Sequence, residues 1–149
     1  MFEMVAKLNV PYVLMHIKGT PQTMQNDPQY VDVVEELFSF FTLKLNELKA
    51  LGHTAVILDP GFGFGKTVEH NYLLLKKMAR FQSFGLPVLV GVSRKSMINK
   101  LLNISSKDSV NGTSVLNTIA LQNGAKILRV HDVKEANEVR QISQYFKSL

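Results

Sequence analysis

Two hydrophobic periods alternate along this chain. Short β-branched or Leu-rich runs recur at Tyr12–His16, Ala55–Asp59, Val88–Val92 and Lys126–His131, each entered from Gly or Pro punctuation, and these predict strands. Between them the apolar positions return every three or four residues. Val33, Leu37, Phe41, Leu45 and Leu48 form one helical stripe, and Gly52 sits where a helix C-terminus is expected. A second helix is predicted from about Glu69 to Phe81. The stretch from Ser96 to Gln122 predicts a short helix, a polar break around Ser105 to Asn111, and a longer helix ended by Gly124. Asp132 and Glu135 stand in capping-box spacing ahead of a last helix with Val133, Ala136, Val139, Ile142 and Phe146 on one face. Phe2, Val5 and Leu8 read as the end of a helix before the first strand. The order is a helix followed by four βα units, an α/β architecture with parallel strands and crossover helices.

That architecture says where to look for function. A run such as Val88-Leu89-Val90 predicts a strand buried on both faces. In parallel α/β folds, ligands bind where the βα loops gather at the carboxyl ends of the strands. Each predicted strand here ends in polar or glycine-rich chemistry: Met15-His16-Ile17-Lys18-Gly19, Asp59 to Lys66, Gly91 to Ser96, and Arg129-Val130-His131-Asp132. Four such ends are expected to converge on one site.

Composition narrows the class. The chain has 149 residues, 46% of them apolar, with 17 Lys and Arg against 12 Asp and Glu for a net charge of +5. This fits one core-forming domain rather than a disordered chain, and no apolar run approaches the ~20 residues of a membrane helix. With no cysteine there is no disulfide scaffold, thiolate zinc site or Cys nucleophile, and a reducing, cytoplasmic setting is expected. Met1 to Asn9 lacks the pattern of a signal peptide. The basic residues are scattered and no nucleic-acid motif is present, which leaves a solvated basic surface or attraction of small anions. Length excludes a complete (β/α)8 barrel, which takes about 250 residues.

Several familiar motifs nearly fit. Gly65-Lys66-Thr67 follows a strand, but the phosphate-loop spacing requires a glycine where Pro60 stands. Gly61 and Gly63 are followed by Lys66 where a dinucleotide fingerprint needs its third glycine. His16, His53, His70 and His131 lack metal-binding spacing, so no metal ligand set is expected in this chain. No Gly-x-Ser-x-Gly elbow occurs.

The strand ends themselves carry chemistry. Arg129 and His131 share a strand face, and a guanidinium fork beside an imidazole suits a phosphate or diphosphate; a structural Arg–carboxylate pair is the plain alternative. Asp59 ends an apolar strand, where its carboxylate would accept two parallel N–H groups from a flat amidine-like edge, as on a pterin or guanine ring. It would equally serve as a turn aspartate before Pro60. Gly61, Gly63 and Gly65 let backbone bend closely around a ligand, with Phe62 and Phe64 available for stacking and one of them destined for the core. Arg94 and Lys95 follow Gly91, Ser96 opens a helix whose N-terminus favours an anion, and Met15 is a core filler or a ligand contact.

Read together, four stretches resemble dihydropteroate synthase, the folate-pathway family: Leu14-Met15-His16-Ile17-Lys18-Gly19-Thr20-Pro21-Gln22-Thr23-Met24-Gln25, Leu58 to Lys66, Val90 to Ile98, and Arg129 to Val133. They occur in the family's order across essentially all 149 residues. The resemblance implies the C-terminal half of a (β/α)8 TIM barrel, strands five to eight with the tail of the preceding helix, as one partial pterin-binding domain over residues 1–149. The family is a transferase that joins p-aminobenzoate to a dihydropterin-methyl diphosphate, and it is the sulfonamide target. Carried over, Asp59 and Lys95 would hold the pterin ring, with Met15, Phe64 and Gly91 lining its pocket. Arg129 and His131 would grip diphosphate, and Ser96 and Arg94 would lie on the aminobenzoate side. The family's Mg2+ ligand, its Thr-Arg loop and two further pterin contacts belong to an N-terminal half that this sequence lacks. A homodimer is expected of the full-length family, and nucleic acid or membrane is not an expected partner. Two other readings share these residues: a non-catalytic pterin- or phosphate-binding module, and a folate-dependent methyltransferase-type barrel. The latter has no diphosphate for Arg129 and His131 to bind.

Overall fold

The computed structural model describes residues 1–20 and 28–149. The Pro21 to Gln25 part of the first family-like stretch lies outside the described residues. The elements run α1 (Phe2–Leu8), β1 (Tyr12–Met15), α2 (Val33–Ala50), β2 (Val56–Asp59), α3 (Val68–Lys76), β3 (Leu89–Val90), α4 (Ser96–Leu102), α5 (Val110–Gln122), β4 (Ile127–Leu128) and α6 (Val133–Ser148). Two 3₁₀ segments, Met78–Phe84 and Ser106–Asp108, complete the order.

All strand pairing is parallel. Tyr12 pairs with Val56 and Met15 with Asp59; Leu89 pairs with Ile127 and Val90 with Leu128. A bridge between Leu58 and Val88 joins the two pairs, so β1 to β4 lie in chain order with a helix after each strand. Strand alternation then sorts the residues. Leu14, Val56, Leu58, Val88 and Val90 are buried in one core with Val34, Leu37, Phe41, Leu48, Leu74 and Phe81 from the helical layer. Val13, Met15, Ile57, Asp59, Leu89, Gly91 and Arg129 fall on the other face. Val88, Leu89 and Val90 are all buried, as their run predicts.

The strands are shorter than the apolar runs. Beyond Val90 and Leu128 the backbones part after a last rung from the Arg129 N–H to the Val90 carbonyl at 2.8 Å, which leaves Gly91 to Ser93 and Val130 to His131 as loop rather than ladder. The helix expected from Glu69 to Phe81 is also divided. It is α-helical only to Lys76, then tightens into the 3₁₀ segment that ends at Gly85 in the left-handed region. The spacing explains this: Met78, Phe81 and Phe84 stand three apart, and 3₁₀ geometry eclipses such positions on one side. Met78 and Phe81 are fully buried, with Phe81 edge-on to Phe41 at 5.5 Å and Phe84 stacked on Phe38 at 4.6 Å.

Helix ends bring two further differences. Asp32 caps α2, its carboxylate accepting from the Val34 and Glu35 N–H groups at 2.8 and 3.2 Å, which holds it below the usual carboxylate range. The capping box expected of Asp132 and Glu135 is absent: Asp132 makes no cap hydrogen bond and binds Arg94 instead. The predicted apolar face of α6 also splits. Ala136 and Ser143 are buried and Val139 is half-buried, whereas Val133, Ile142 and Phe146 are 70 to 72% exposed, with Tyr145 and Leu149 beside them in the open. The helix turns its small residues toward the domain because Ala and Ser permit close approach, and the bulky stripe is left outward.

Leu58 is the central test of this packing, being fully buried on the strand that links the two pairs. Leu58→Ala should cost about 2–5 kcal/mol, a large fraction of a small domain's stability, and urea denaturation should show it as a lowered midpoint with an unchanged slope.

Candidate functional site

The register brings the polar strand ends together. Asp59 ends β2 and is 1% exposed. One carboxylate oxygen closes a turn by accepting the Gly61 N–H at 2.8 Å. The other is buried without a hydrogen-bond partner, and the Arg129 guanidinium, 52% exposed, stands 3.4 Å from it. The turn and ligand readings of Asp59 are therefore compatible, each using its own oxygen. A buried carboxylate oxygen that lacks a donor is costly, and a ligand N–H placed there would relieve that cost.

The loop after β2 wraps a lysine that motif reading passed over. Lys66 is 4% exposed, and its ammonium donates to the carbonyls of Gly61 and Phe64 at 3.0 and 3.1 Å and lies 3.0 Å from His16 Nδ1. Burial lowers its pKa to about 7, helped by the charges of Lys95 and Lys18 and opposed by Asp59. His16 is pulled down to about 3 by burial and by Lys66 and Lys18, so it is neutral; with Nδ1 accepting, its proton sits on Nε2. The loop is further tied by Tyr30, whose hydroxyl donates to the Gly65 carbonyl at 2.8 Å, and by Asn71, which accepts the Gly63 N–H at 2.8 Å. Gly61 is required: it sits at φ +67°, and a Cβ would stand 1.9 Å from the His16 carbonyl oxygen.

The two phenylalanines divide as expected. Phe62 is fully buried in the core, while Phe64 is half-buried with its ring centroid 4.7 Å from the Lys95 ammonium. Lys95 also donates to the Phe62 carbonyl. Burial, then repulsion from Arg129, lowers Lys95 to about 8, against the pull of Asp59. Gly91 makes room for Arg129, since a Cβ there would meet the guanidinium at 2.8 Å. Ser93, buried and unremarked in the sequence, lies 2.9 Å from His131 Nδ1 and accepts the His131 backbone N–H at 3.2 Å. Gly91, Ser93, Lys95, Arg129, Val130 and His131 line a cavity of about 140 Å³.

Asp59, Phe64, Met15, Ser96 and Arg94 are not among the residues that line this cavity. Met15 is half-buried in register with Asp59. Ser96 is exposed at the start of the seven-residue α4. Arg94, at φ +56°, binds Asp132 through two contacts of 3.0 and 2.5 Å, and its backbone N–H donates to Thr113 Oγ1 at 3.1 Å. Among the described residues no group of three or more His, Asp or Glu is placed to hold a metal ion. The cleft's donors are mostly cationic, a poor fit to Mg2+.

This geometry has relatives. The family model described as pterin binding enzyme matches residues 1–131. The chain is 44% identical over 142 residues to dihydropteroate synthase from Escherichia coli K12, covering 94% of this chain and 50% of that protein. The Yersinia pestis dihydropteroate synthase solved with a sulfonamide drug complex superposes with a TM-score of 0.96 at 42% identity, over 99% of this chain and 55% of that one. A Xanthomonas albilineans dihydropteroate synthase solved with 7,8-dihydropteroate gives 0.91 at 34% identity, over 99% and 55%. The chain thus spans about half the length of the relatives it matches. The parallel four-strand row is the C-terminal half of the (β/α)8 barrel that the resemblance implies.

His16 and Lys66 bind their protons more weakly folded than unfolded, so folding releases protons and stability rises with pH through each window. For His16 the window runs from about 3 to the ordinary 6.5, and for Lys66 from about 7 to 10.5. Urea midpoints should therefore climb across the Lys66 window. In Lys66→Met the climb should shrink to the share of Lys95, whose own window runs from about 8 to 10.5.

Proposed function

The chain belongs to the pterin-binding enzyme family, and from that premise we propose that it is the C-terminal half of a dihydropteroate synthase. The observation that carries this reading is the buried Asp59 oxygen that accepts no hydrogen bond, 3.4 Å from Arg129, which with Lys95 and His131 lines the adjoining cavity. A pterin presents paired N–H groups on one edge, which a carboxylate accepts in parallel, and ring acceptors that an ammonium can reach. Asp59 and Lys95 hold the ring on this reading, with Met15, Phe64 and Gly91 around it.

The reaction is substitution at a methylene. The amine nitrogen of p-aminobenzoate forms a bond to the methylene carbon, the carbon–oxygen bond to diphosphate breaks with its electron pair going to oxygen, and the amine releases one proton. The protein's part is to align the two substrates and stabilise the departing charge. Arg129 offers a planar fork to the diphosphate oxygens, and His131, fixed by Ser93, donates a hydrogen bond beside it. Ser96 and Arg94 are assigned to the aminobenzoate side on this reading, with Arg94 ion-paired to Asp132. Mg2+ would add charge neutralisation at the diphosphate, held by residues outside this chain. A cytoplasmic homodimer completes the proposal, with the exposed α6 residues Ile142, Tyr145 and Phe146 as the apolar surface that a second copy would cover. The alternative reading is a non-catalytic pterin- or phosphate-binding module, which the same residues Asp59, Lys95, Arg129 and His131 would serve.

The purified chain should bind a dihydropterin-methyl diphosphate by calorimetry and show no synthase turnover. Mixing it with the N-terminal half of the Escherichia coli relative should restore product formation. Asp59→Asn or Lys95→Met should then lower kcat/KM by about 10- to 100-fold, the loss of one charge-assisted hydrogen bond. Turnover by the chain alone would overturn the expectation that it is inactive by itself, and restored activity indifferent to both substitutions would contradict the assignment.

A further inference from the structure

Lys66 has no role in the readings above, yet it is the most deeply buried cation at the site. Among the described residues no carboxylate lies within ion-pair distance of it. Its contacts are two carbonyls of the loop after β2 and one ring nitrogen at the end of β1. A buried ammonium is costly, and a lysine that merely filled space could be replaced by an apolar residue of the same length. What this one does is specific: it draws the Gly61 and Phe64 carbonyls inward around one point. That leaves the Phe62 carbonyl pointing to Lys95 and the Phe64 ring against it.

We infer that Lys66 is a positioning residue for the pterin pocket, its ammonium fixing from beneath the loop that presents Phe64 and the Phe62 carbonyl to Lys95. The inference rests on the pterin reading for its ligand, but the loop-holding role stands on the hydrogen bonds alone. Two lysines thus grip one loop from opposite sides, Lys66 inside and Lys95 at the mouth. They never meet the same carbonyl, so loss of one is not covered by the other.

The charge state of Lys66 is coupled to the loop. The groups that face it are His16 and Lys18 from the end of β1, Asp59 from the end of β2 and Lys95 from the loop after β3. Glu36 binds Lys18 at 3.0 Å, and the Tyr30 hydroxyl holds Gly65 alongside. Loss of a proton leaves Lys66 with two N–H donors for the two carbonyls and a lone pair toward His16, whose ring must then carry its proton on Nδ1. Burial places that change near neutral pH. The loop amides should report it.

The experiment uses the whole chain, labelled with nitrogen-15. In the native chain the amide signals of Gly61, Phe64 and Gly65 should titrate together with a midpoint of about 7. In Lys66→Met that titration should vanish. In Lys66→Arg, which stays charged, the same amides should hold fixed positions across the range. Calorimetry with dihydropterin-methyl diphosphate adds a readout that a filler would not move: Lys66→Met should bind about tenfold more weakly, and Lys66→Arg should recover most of the loss. The inference is overturned if the loop amides of the native chain do not titrate, if their titration persists in Lys66→Met, or if Lys66→Met binds the pterin as tightly as the native chain. If Lys66→Met does not fold, the native titration and its absence in Lys66→Arg decide. If the native chain binds no pterin, the ligand reading fails and the amide titrations alone decide the loop-holding role.

Discussion

Placing a cation inside a folded chain demands that backbone carbonyls be turned toward it, and at the strand ends of this protein that demand shapes everything nearby. The Lys66 ammonium sits among the Gly61 and Phe64 carbonyls and the His16 ring. Carbonyls turn inward only if the chain between them reverses sharply, and the left-handed backbone of Gly61, Gly63 and Gly65 permits this. The same turn fixes the Asp59 carboxylate through the Gly61 N–H and leaves its second oxygen without a donor. The loop's interior bonding and its outward chemistry are therefore one arrangement.

The cleft is electrostatically unbalanced in a way that suits an anionic ligand with an N–H-rich ring. Lys95 and Arg129 repel each other across it, and Asp59 is the one buried carboxylate among the described residues. Gly91 allows the guanidinium to stand close to the strand, and Ser93 keeps the His131 ring beside it. Asp59 and the Phe62 carbonyl hold the two cations near each other against that repulsion. A diphosphate would convert that repulsion into favourable contact, while Asp59 would be relieved by the ring N–H groups.

Two surfaces remain open on the described residues. One is the strand face opposite the helices, where Val13 within β1 and Arg129 just past β4 are exposed. The other is the outer stripe of α6. The chain spans about half the length of the relatives it matches.

Much of this was legible from residue order. Strand and helix alternation, the parallel arrangement and the convergence of Asp59, Lys95, Arg129 and His131 followed from hydrophobic period and from the rule that parallel strands end at ligands, because both depend on local geometry that repeats at fixed spacing. Element ends were less legible. The 3₁₀ turn at Met78–Phe84 exists because three large side chains must reach α2, and Asp132 left its predicted cap because Arg94, distant in sequence, offers a charged pair. The stripe of α6 turned outward for a similar reason, since only the neighbouring α5 decides which face is close-packed. Lys66 is the sharpest case. Next to Gly65 and Thr67 it resembled a failed phosphate loop, and its work depends on the direction of its side chain and on His16, fifty positions away. The sequence by itself determined which chemistry gathers at the strand ends; the tertiary structure alone decided which charge is buried and which faces the cleft, because burial is set by the neighbours that folding supplies.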